Sequence, residues 1–169
     1  MSPFKKPSLT AKEKLRPISG FPELLPEERR VELDWIDQIR TIFESYGFTS
    51  IEPRIVEPID VLLKQGDTDK EIYTLGRLLD TPKSDREPTF GLHYDLTIPM
   101  ARYVAANMEK LDFPFKRYQI QKAWRGERPQ DGRFREFMQC DIDVVDTREV
   151  PLHFDVEIPA IMNQALASI

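Results

Sequence analysis

Two strand-like segments joined by a polar turn constrain the fold more than any other feature of this sequence. The segments are Phe115–Trp124 and Phe134–Val145, and the residues between them include Pro129 and Gly132. Proline and glycine supply the backbone angles that tight turns need. The sequence therefore predicts one long β-hairpin near the middle of the second half of the chain.

The second of these segments alternates between apolar and polar residues. Its apolar positions are Met138, Cys140, Ile142 and Val144, and the positions between and before them are Arg135, Phe137, Gln139, Asp141 and Asp143. Successive side chains of a strand point to opposite faces of the sheet. We therefore expect one face of the hairpin to lie in the core and the other to be polar, with one aromatic ring embedded in it.

A long amphipathic helix is predicted upstream, beginning near Pro26. Apolar residues recur at three- and four-residue steps: Val31, Trp35, Ile36, Ile39, Ile42, Phe43 and Tyr46. Glu27 and Glu28 favour the positive end of the helix dipole, and Gly47 provides a stop. A strand is predicted at Phe48–Ile51. The stripe by itself indicates core packing rather than an interface.

Shorter segments complete the predicted set of elements. In chain order they are a helix at Ile59–Leu63, a strand at Ile72–Leu75, a strand at Thr89–His93, a helix from about Thr97 to Met108, and an amphipathic helix after Pro151. Residues 1–19 are predicted to be a flexible basic arm, and residues 80–88 a solvated loop. Together the pattern indicates an α+β fold in which helices flank a largely antiparallel sheet.

Composition limits the classes of function. The chain has 169 residues, 40% of them hydrophobic, which is enough for a core, and its net charge of -5 gives no overall attraction to nucleic acid. The single cysteine excludes an internal disulfide and a multi-cysteine zinc site, and two histidines do not suggest a metal site. Because no apolar leader or membrane-length run occurs, we expect a cytoplasmic protein without a membrane partner.

The predicted hairpin groups arginines around an aromatic ring. Arg125 stands at one strand end, Arg133 and Arg135 stand at the return, and Phe137 follows two residues later. Guanidinium groups offer paired donors to phosphate oxygens, and an aromatic ring can stack on a purine. The grouping therefore suits a nucleoside triphosphate.

An ordinary structural explanation exists for the same charges. Glu127, Glu136 and Asp143 could form cross-strand ion pairs with the basic residues, each contributing up to about 1 kcal/mol when exposed. On composition alone this explanation is favoured. The order and spacing of the residues change that judgement.

The hairpin resembles motif 2 of the class II aminoacyl-tRNA synthetases. The matching residues are Arg125-Gly126-Glu127-Arg128-Pro129, then Gly132-Arg133-Phe134-Arg135-Glu136-Phe137, and the continuation Gln139-Cys140-Asp141-Ile142-Asp143 is similar to the histidyl member. Residues 20–53 resemble motif 1, the dimer-forming helix and strand, and His93-Tyr94-Asp95-Leu96-Thr97-Ile98-Pro99 resembles the loop that reads the amino group of histidine. Motif matches gain weight when they occur in the right order.

The resemblance implies a role for each matching residue. For ATP it implies Arg125, Glu127 and Arg133 on the phosphates and adenosine, and Phe137 stacked on adenine. For histidine it implies Asp95, Leu96, Thr97, Arg125, Gln139 and Asp143. For the acceptor end of tRNA it suggests Gln130 and Arg135. Arg125 would be the catalytic residue, because it would touch both the α-phosphate and the substrate carboxylate.

The implied reaction joins L-histidine to its tRNA in two steps, through histidyl-adenylate. ATP and Mg²⁺ would be the co-substrate and its ion, with no prosthetic group and no protein metal site. Cys140 would be structural. A homodimer is expected for the intact protein.

Three features depart from the family pattern. His93 stands where arginine is usual, and neither a glycine-rich motif 3 nor an anticodon-binding domain is found in these 169 residues. Both are expected beyond Ile169, so residues 20–169 would be the N-terminal part of the catalytic domain, with little or no activity alone. Alternatives are the synthetase-like regulatory subunit of ATP phosphoribosyltransferase and a module that only dimerises.

Overall fold

The computed structural model describes residues 10, 15–63, 71–76 and 89–169. Its elements are α1 Pro26–Ser45, β1 Thr49–Ser50, β2 Val56–Pro58, α2 Ile59–Leu62, β3 Thr74–Leu75, β4 Phe90–Leu92, α3 Thr97–Asn107, a 3₁₀ turn Met108–Lys110, β5 Phe115–Trp124, β6 Glu136–Val145 and α4 Phe154–Ser168. The predicted loop at residues 80–88 and most of the predicted arm lie outside the described residues.

The predicted hairpin is confirmed. Strands β5 and β6 pair antiparallel along their full length, from Phe115 opposite Val145 to Trp124 opposite Glu136. The second strand begins two residues later than predicted, because the backbone N–H groups of Arg135 and Glu136 both donate to the carbonyl of Gly20, at 2.8 and 3.0 Å. The polypeptide before α1 is thereby tied to the return of the hairpin.

The described residues form two three-stranded sheets, ordered β1-β5-β6 and β2-β4-β3. All pairs are antiparallel except β1 with β5, which are parallel. The predicted α+β class with a largely antiparallel sheet is therefore confirmed. Strands β1, β3 and β4 are shorter than predicted. For example, β4 ends at Leu92, and His93 joins the two sheets instead: its N–H donates to the carbonyl of Ile55 and its carbonyl accepts from the N–H of Trp124, each at 3.1 Å.

The main core lies between the hairpin and the helices α1 and α4. It contains Phe43, Phe48, Tyr118, Ile142 and Ile161, all buried. Cys140 and Val144 pack against the same cluster. The alternation predicted along β6 thus directs its apolar side chains into the core, and leaves the other face polar.

Helix α1 begins and ends as predicted, but only half of its apolar stripe is covered. The N–H of Leu25 donates to the Glu28 carboxylate at 2.8 Å, which satisfies one backbone donor at the N-terminus of the helix. Val31 and Trp35 remain 47% and 44% exposed, whereas Phe43 is buried. The N-terminal half of α1 therefore presents apolar surface.

In the described ranges no helix combines the length and apolarity needed to cross a bilayer.

Gly20 is expected to tolerate no side chain. Its φ is +83°, and a Cβ would lie 2.8 Å from Cγ of Arg135. We expect Gly20→Ala to lower the free energy of unfolding by roughly 1 to 3 kcal/mol, because a positive φ strains an L-residue and the contact adds to that strain. Urea titration of the purified chain measures the change.

Gly47 offers the matched control. Its φ is +78°, but a Cβ there would meet nothing within 4 Å. Gly47→Ala therefore carries the backbone strain without the contact, and a smaller loss is expected. Equal losses at the two positions would mean that the Arg135 contact contributes nothing.

Candidate functional site

The polar face of the hairpin brings three of the candidate residues together. In register across β5 and β6 it carries Arg117 opposite Asp143, Gln119 opposite Asp141, Gln121 opposite Gln139, and Ala123 opposite Phe137. Three residues predicted for the site, Phe137, Gln139 and Asp143, thus stand in one row. Sequence reasoning did not assign Arg117, Gln119, Gln121 or Asp141 to the site, although β5 alternates with the same period of two.

Arg125 lies at the end of β5, where the hairpin meets the loop before α3. Its Nε donates to the carbonyl of Tyr94 at 3.0 Å, and its Cζ lies 5.0 Å from the centre of the Phe137 ring. A guanidinium over an aromatic face is attracted by the ring quadrupole. The side chain is therefore held between the two segments that the sequence predicts to bind the substrates, and it covers one face of the Phe137 ring.

The loop before α3 contributes residues of different kinds. The Asp95 carboxylate accepts from the N–H of Ile98 at 3.3 Å, and Asp95 is half-buried. Leu96 is fully buried, so only its backbone is available to a ligand. Thr97 is the first residue of α3 and is exposed. Asp95 thus accepts from a backbone N–H in the first turn of α3, and its charge also raises the pKa of Asp141 across the site.

Two carboxylates of β6 share the polar face with a buried arginine. Asp143 forms an ion pair with the Arg117 guanidinium. Burial raises the pKa of Asp143, and the charge of Arg117 opposes that rise while Asp141 adds to it. Burial also raises the pKa of Asp141. Its hydrogen bond from Gln139 and the charge of Arg117 oppose that rise. Both carboxylates therefore titrate above the ordinary aspartate range.

Gln139 has a fixed orientation. Its Nε2 donates to both oxygens of Asp141, at 3.1 and 3.2 Å. Because an ionised carboxylate only accepts hydrogen bonds, the amide nitrogen must face Asp141 and the amide oxygen must face away. That oxygen is buried and receives no donor from the described residues. It suits a ligand N–H.

The turn of the hairpin is held by its own charges. Glu127 pairs with Arg133, whose side chain is 56% exposed. Arg135 donates from Nε to the Glu127 carbonyl at 2.9 Å and from Nη1 to the Ser19 carbonyl at 3.4 Å. Gln130 is exposed at the tip. A ligand phosphate would therefore have to compete with Glu127 for the guanidinium of Arg133.

The ion pairs that the sequence left as an alternative are all formed. Besides the pairs of Glu127 and Asp143, the Glu136 carboxylate accepts from Lys122 at 2.6 Å and from the Trp124 indole at 2.8 Å. These two donors lower the pKa of Glu136 against the effect of burial, and its net pKa lies below the ordinary value. The Glu136 pair lies at the base of the turn, on the face opposite Phe137, so it supports the hairpin and not the polar row.

His93 has a structural role. It is fully buried, and its Nε2 lies 2.7 Å from the carbonyl of Lys122, to which it must donate because a carbonyl only accepts. The ring packs on Trp124 with the centres 5.6 Å apart. The residue that departs from the usual arginine thus fastens the loop before α3 to β5.

Cys140 and the metal-ligating side chains add no further site. Burial raises the pKa of Cys140 to about 11, so its thiol stays protonated near neutral pH. Within the described part of the chain, no three His, Cys, Asp or Glu side chains are grouped as metal ligands.

An open cleft of about 410 Å³ lies on the other face of the sheet, beneath α1.

The long helix and strand that precede the hairpin, and the polar face of the hairpin, give this domain the fold of a class II aminoacyl-tRNA synthetase. The family model for histidyl-tRNA synthetase matches residues 20–169. The chain belongs to the histidyl-tRNA synthetase family.

Similar proteins agree with this assignment. Histidine-tRNA ligase of Thermobifida fusca is 58% identical over 153 residues, which cover 90% of this chain and 35% of the relative. The crystal structure of histidyl-tRNA synthetase from Nostoc sp. PCC 7120 is 42% identical, with a TM-score of 0.78 over 92% of this chain and 34% of that one. A structure from Bacillus halodurans described as an ATP phosphoribosyltransferase regulatory subunit/histidyl-tRNA synthetase shares the fold at 21% identity, with a TM-score of 0.74, over 90% of this chain and 38% of that one. The chain spans about a third of the length of the curated relatives it matches.

Proposed function

We propose that the protein to which this chain belongs ligates L-histidine to its tRNA through histidyl-adenylate, using ATP. The observation that carries the proposal is the position of Arg125, held at once on the Tyr94 carbonyl and over Phe137, beside the row that ends in Asp143. Residues 20–53 would be motif 1 and residues 115–145 motif 2. Family membership supplies the reaction class.

Arg125 would act by charge and position. Its Nε is used to fix the side chain, so the terminal nitrogens of the guanidinium provide paired donors of the geometry that phosphate and carboxylate oxygens need. We propose that they hold the α-phosphate of ATP against the carboxylate of histidine. The positive charge would then offset the charge that develops as pyrophosphate leaves.

The histidine side of the site is made of acceptors. Asp95, Asp143 and the unpartnered oxygen of Gln139 can accept the N–H groups of the substrate ammonium and imidazole. Thr97 would add its hydroxyl, and Leu96 its backbone. A cationic amino acid suits this face, because it holds three carboxylates, those of Asp95, Asp141 and Asp143.

The remaining assignments concern ATP and tRNA. Phe137 would stack on adenine with the ring face that Arg125 leaves open. Glu127 and Arg133 would bind the adenosine and the outer phosphates, with Mg²⁺ arriving on the triphosphate as part of the substrate. Gln130 at the tip and Arg135 beside it would meet the acceptor end of tRNA.

The intact protein would be a cytoplasmic homodimer. The uncovered half of α1 supports the dimer, because Val31 and Trp35 leave a stripe of apolar surface that a second copy could cover. The cytoplasm is proposed because tRNA is charged where translation takes place.

Histidine-dependent exchange of pyrophosphate into ATP tests the proposal. The full-length protein should catalyse this exchange and charge tRNA with histidine, and omission of histidine or its replacement by another amino acid should remove the activity. Asp143→Ala should raise the KM for histidine by at least about tenfold, the effect of one lost charged hydrogen bond. The 169-residue chain alone is expected to have little or no activity.

Two results would contradict this function. A full-length protein that binds histidine but neither exchanges pyrophosphate nor charges tRNA would behave as the regulatory subunit of ATP phosphoribosyltransferase does. A protein that dimerises but binds neither histidine nor ATP would leave only a dimerisation module.

A further inference from the structure

A fully buried arginine lies on the polar face of the hairpin. Arg117, on the central strand β5, is 0% exposed and is among the largest fully buried side chains of the described chain. Burying a guanidinium is costly unless its charge is paired, and an apolar residue of similar volume often gives equal or greater stability. The position of Arg117 therefore calls for an explanation other than packing.

One side of the guanidinium is held by a row of side-chain amides. Arg117 donates from Nη1 to the oxygen of Gln119 at 3.3 Å, Gln119 donates to the oxygen of Gln121 at 2.8 Å, and Gln121 donates to the carbonyl of Pro53 at 3.0 Å. Arginine can only donate and a carbonyl can only accept, so both ends fix the direction of every amide in the row. The guanidinium cannot turn without breaking this row.

The other side of the guanidinium meets Asp143. The ion pair uses Nη2 of Arg117 and Oδ2 of Asp143. The Asp143 side chain is 38% exposed, so part of the carboxylate reaches solvent. Arg117 thus holds one oxygen of the carboxylate from the neighbouring strand, while the partly exposed side chain remains accessible to a ligand.

We propose that Arg117 is a positioning residue for the histidine pocket. Arg117 holds Asp143 as an anion and directs the second oxygen of its carboxylate to the substrate. This inference rests on the proposed function, because it assumes that Asp143 contacts the substrate histidine. Arg117 itself would touch neither substrate. It acts by fixing the protonation state and the rotation of a group that does.

The charges of the face show why Asp143 needs such support. The groups that act on its carboxylate are Arg117 from β5 and Asp141 from β6, and the wider face adds Asp95 and Arg125. Burial and Asp141 both favour the protonated form of Asp143, and Arg117 alone opposes them. Without Arg117 the carboxyl would take up a proton at a higher pH, and its O–H would donate where the substrate N–H needs an acceptor.

Arg117→Met in the full-length protein tests this inference. The KM for histidine in pyrophosphate exchange should rise about 10- to 100-fold, the usual effect of losing a group that orients a ligand-binding residue. The KM for ATP should change less than about threefold. In the profile of kcat/KM for histidine against pH, the acid limb should move to higher pH, since the pKa of Asp143 rises when the arginine is removed.

Lys116 provides a matched control on the neighbouring position. Lys116 is a basic residue of β5 whose side chain points to the opposite face of the hairpin, where its Nζ pairs with the Glu157 carboxylate of α4 at 3.0 Å. Lys116→Met removes the same kind of charge from the same strand, and should leave the histidine KM and the pH profile unchanged. A change equal to that of Arg117→Met would point to a general effect on the strand.

Arg117→Lys keeps the inference testable if the methionine variant folds poorly. The ammonium retains the charge, so the acid limb should stay near its original pH, but it cannot hold Gln119 and Asp143 with one rigid fork, so the histidine KM should still rise. An unchanged histidine KM in this variant, or equal rises in the KM values for histidine and ATP, would overturn the proposal.

Asp143→Asn separates this inference from the function on which it rests. If Asp143→Asn raises the histidine KM, adding Arg117→Met to it should cause little further rise, because the two residues act through one contact. Full additivity of the two changes would overturn the role of Arg117 alone. If Asp143→Asn has no effect on histidine, the proposed pocket itself is wrong.

Discussion

Replacing Arg125 by alanine is expected to slow histidyl-adenylate formation about 10²- to 10³-fold, with little effect on folding. A fixed donor that meets charge developing in the transition state typically contributes this much to the rate. The free energy of unfolding should change little, because the side chain makes one hydrogen bond, to the Tyr94 carbonyl, and one ring contact, with Phe137. Single-turnover adenylate formation by the full-length protein measures the effect.

Arg128 supplies the control for Arg125. It lies three residues further along the same turn and is exposed. Arg128→Ala changes the net charge of the protein by the same amount, so a general electrostatic effect on ATP binding would appear in both variants. Adenylate formation within about threefold of the original rate in the Arg125→Ala protein would mean that this guanidinium does not meet the reacting phosphate.

Phe43→Ala is expected to have the largest effect on stability, a loss of about 3 to 5 kcal/mol in the free energy of unfolding. Phe43 is 1% exposed, and its ring lies 5.9 Å from that of Tyr118 in the cluster that joins α1 and α4 to the hairpin. Its removal leaves a cavity at the centre of the only core cluster that reaches all three elements in the described residues. Urea unfolding of the purified chain measures the loss.

Trp35 on the same helix is the comparison. Its side chain is larger but 44% exposed, so Trp35→Ala should cost less than about 1 kcal/mol in the isolated chain. Similar losses at the two positions would mean that the N-terminal half of α1 is covered after all, for instance by a second copy at the concentration used. Repeating the titration over a range of protein concentrations separates the two cases.

The parts of the fold that could be predicted from sequence are those with a strong local pattern. The hairpin was predicted because residues 115–145 alternate on either side of a turn, and α1 because Pro26 and Gly47 bound a regular apolar stripe. The parallel pairing of β1 with β5 could not be predicted. Strand β1 has only two residues, and the hydrogen bonds that define it come from a strand more than sixty residues away.

The candidate site divides in the same way. The row of Phe137, Gln139 and Asp143 follows from alternation along β6, and the family resemblance supplied Arg125 and Asp95. Arg117 was missed, because a lone arginine in a strand ordinarily lies at the surface. Its burial depends on the register that sets it opposite Asp143, which the local sequence does not encode.

The sequence left an ion pair of Glu127 as an alternative, but the exact contacts of Arg133 and Arg135 could not be predicted from it. The resemblance assigns both to ligands, yet in the structure Arg133 pairs with Glu127 and Arg135 holds the carbonyls of Glu127 and Ser19. These contacts are decided by the path of the turn. Residues near 20 come back to meet it, and that return is a matter of tertiary structure.

The three hydrogen bonds of His93 have a consequence for the arrangement of the site. Through hydrogen bonds with Ile55, Lys122 and Trp124, His93 joins the strands β2-β4-β3 to the hairpin. His93 lies two residues before Asp95, and Trp124 lies one residue before Arg125. These hydrogen bonds within the protein set the gap between the Asp95 and Arg125 segments. If the segments bind amino acid and nucleotide as proposed, less conformational entropy is lost when the two molecules are brought to reacting distance.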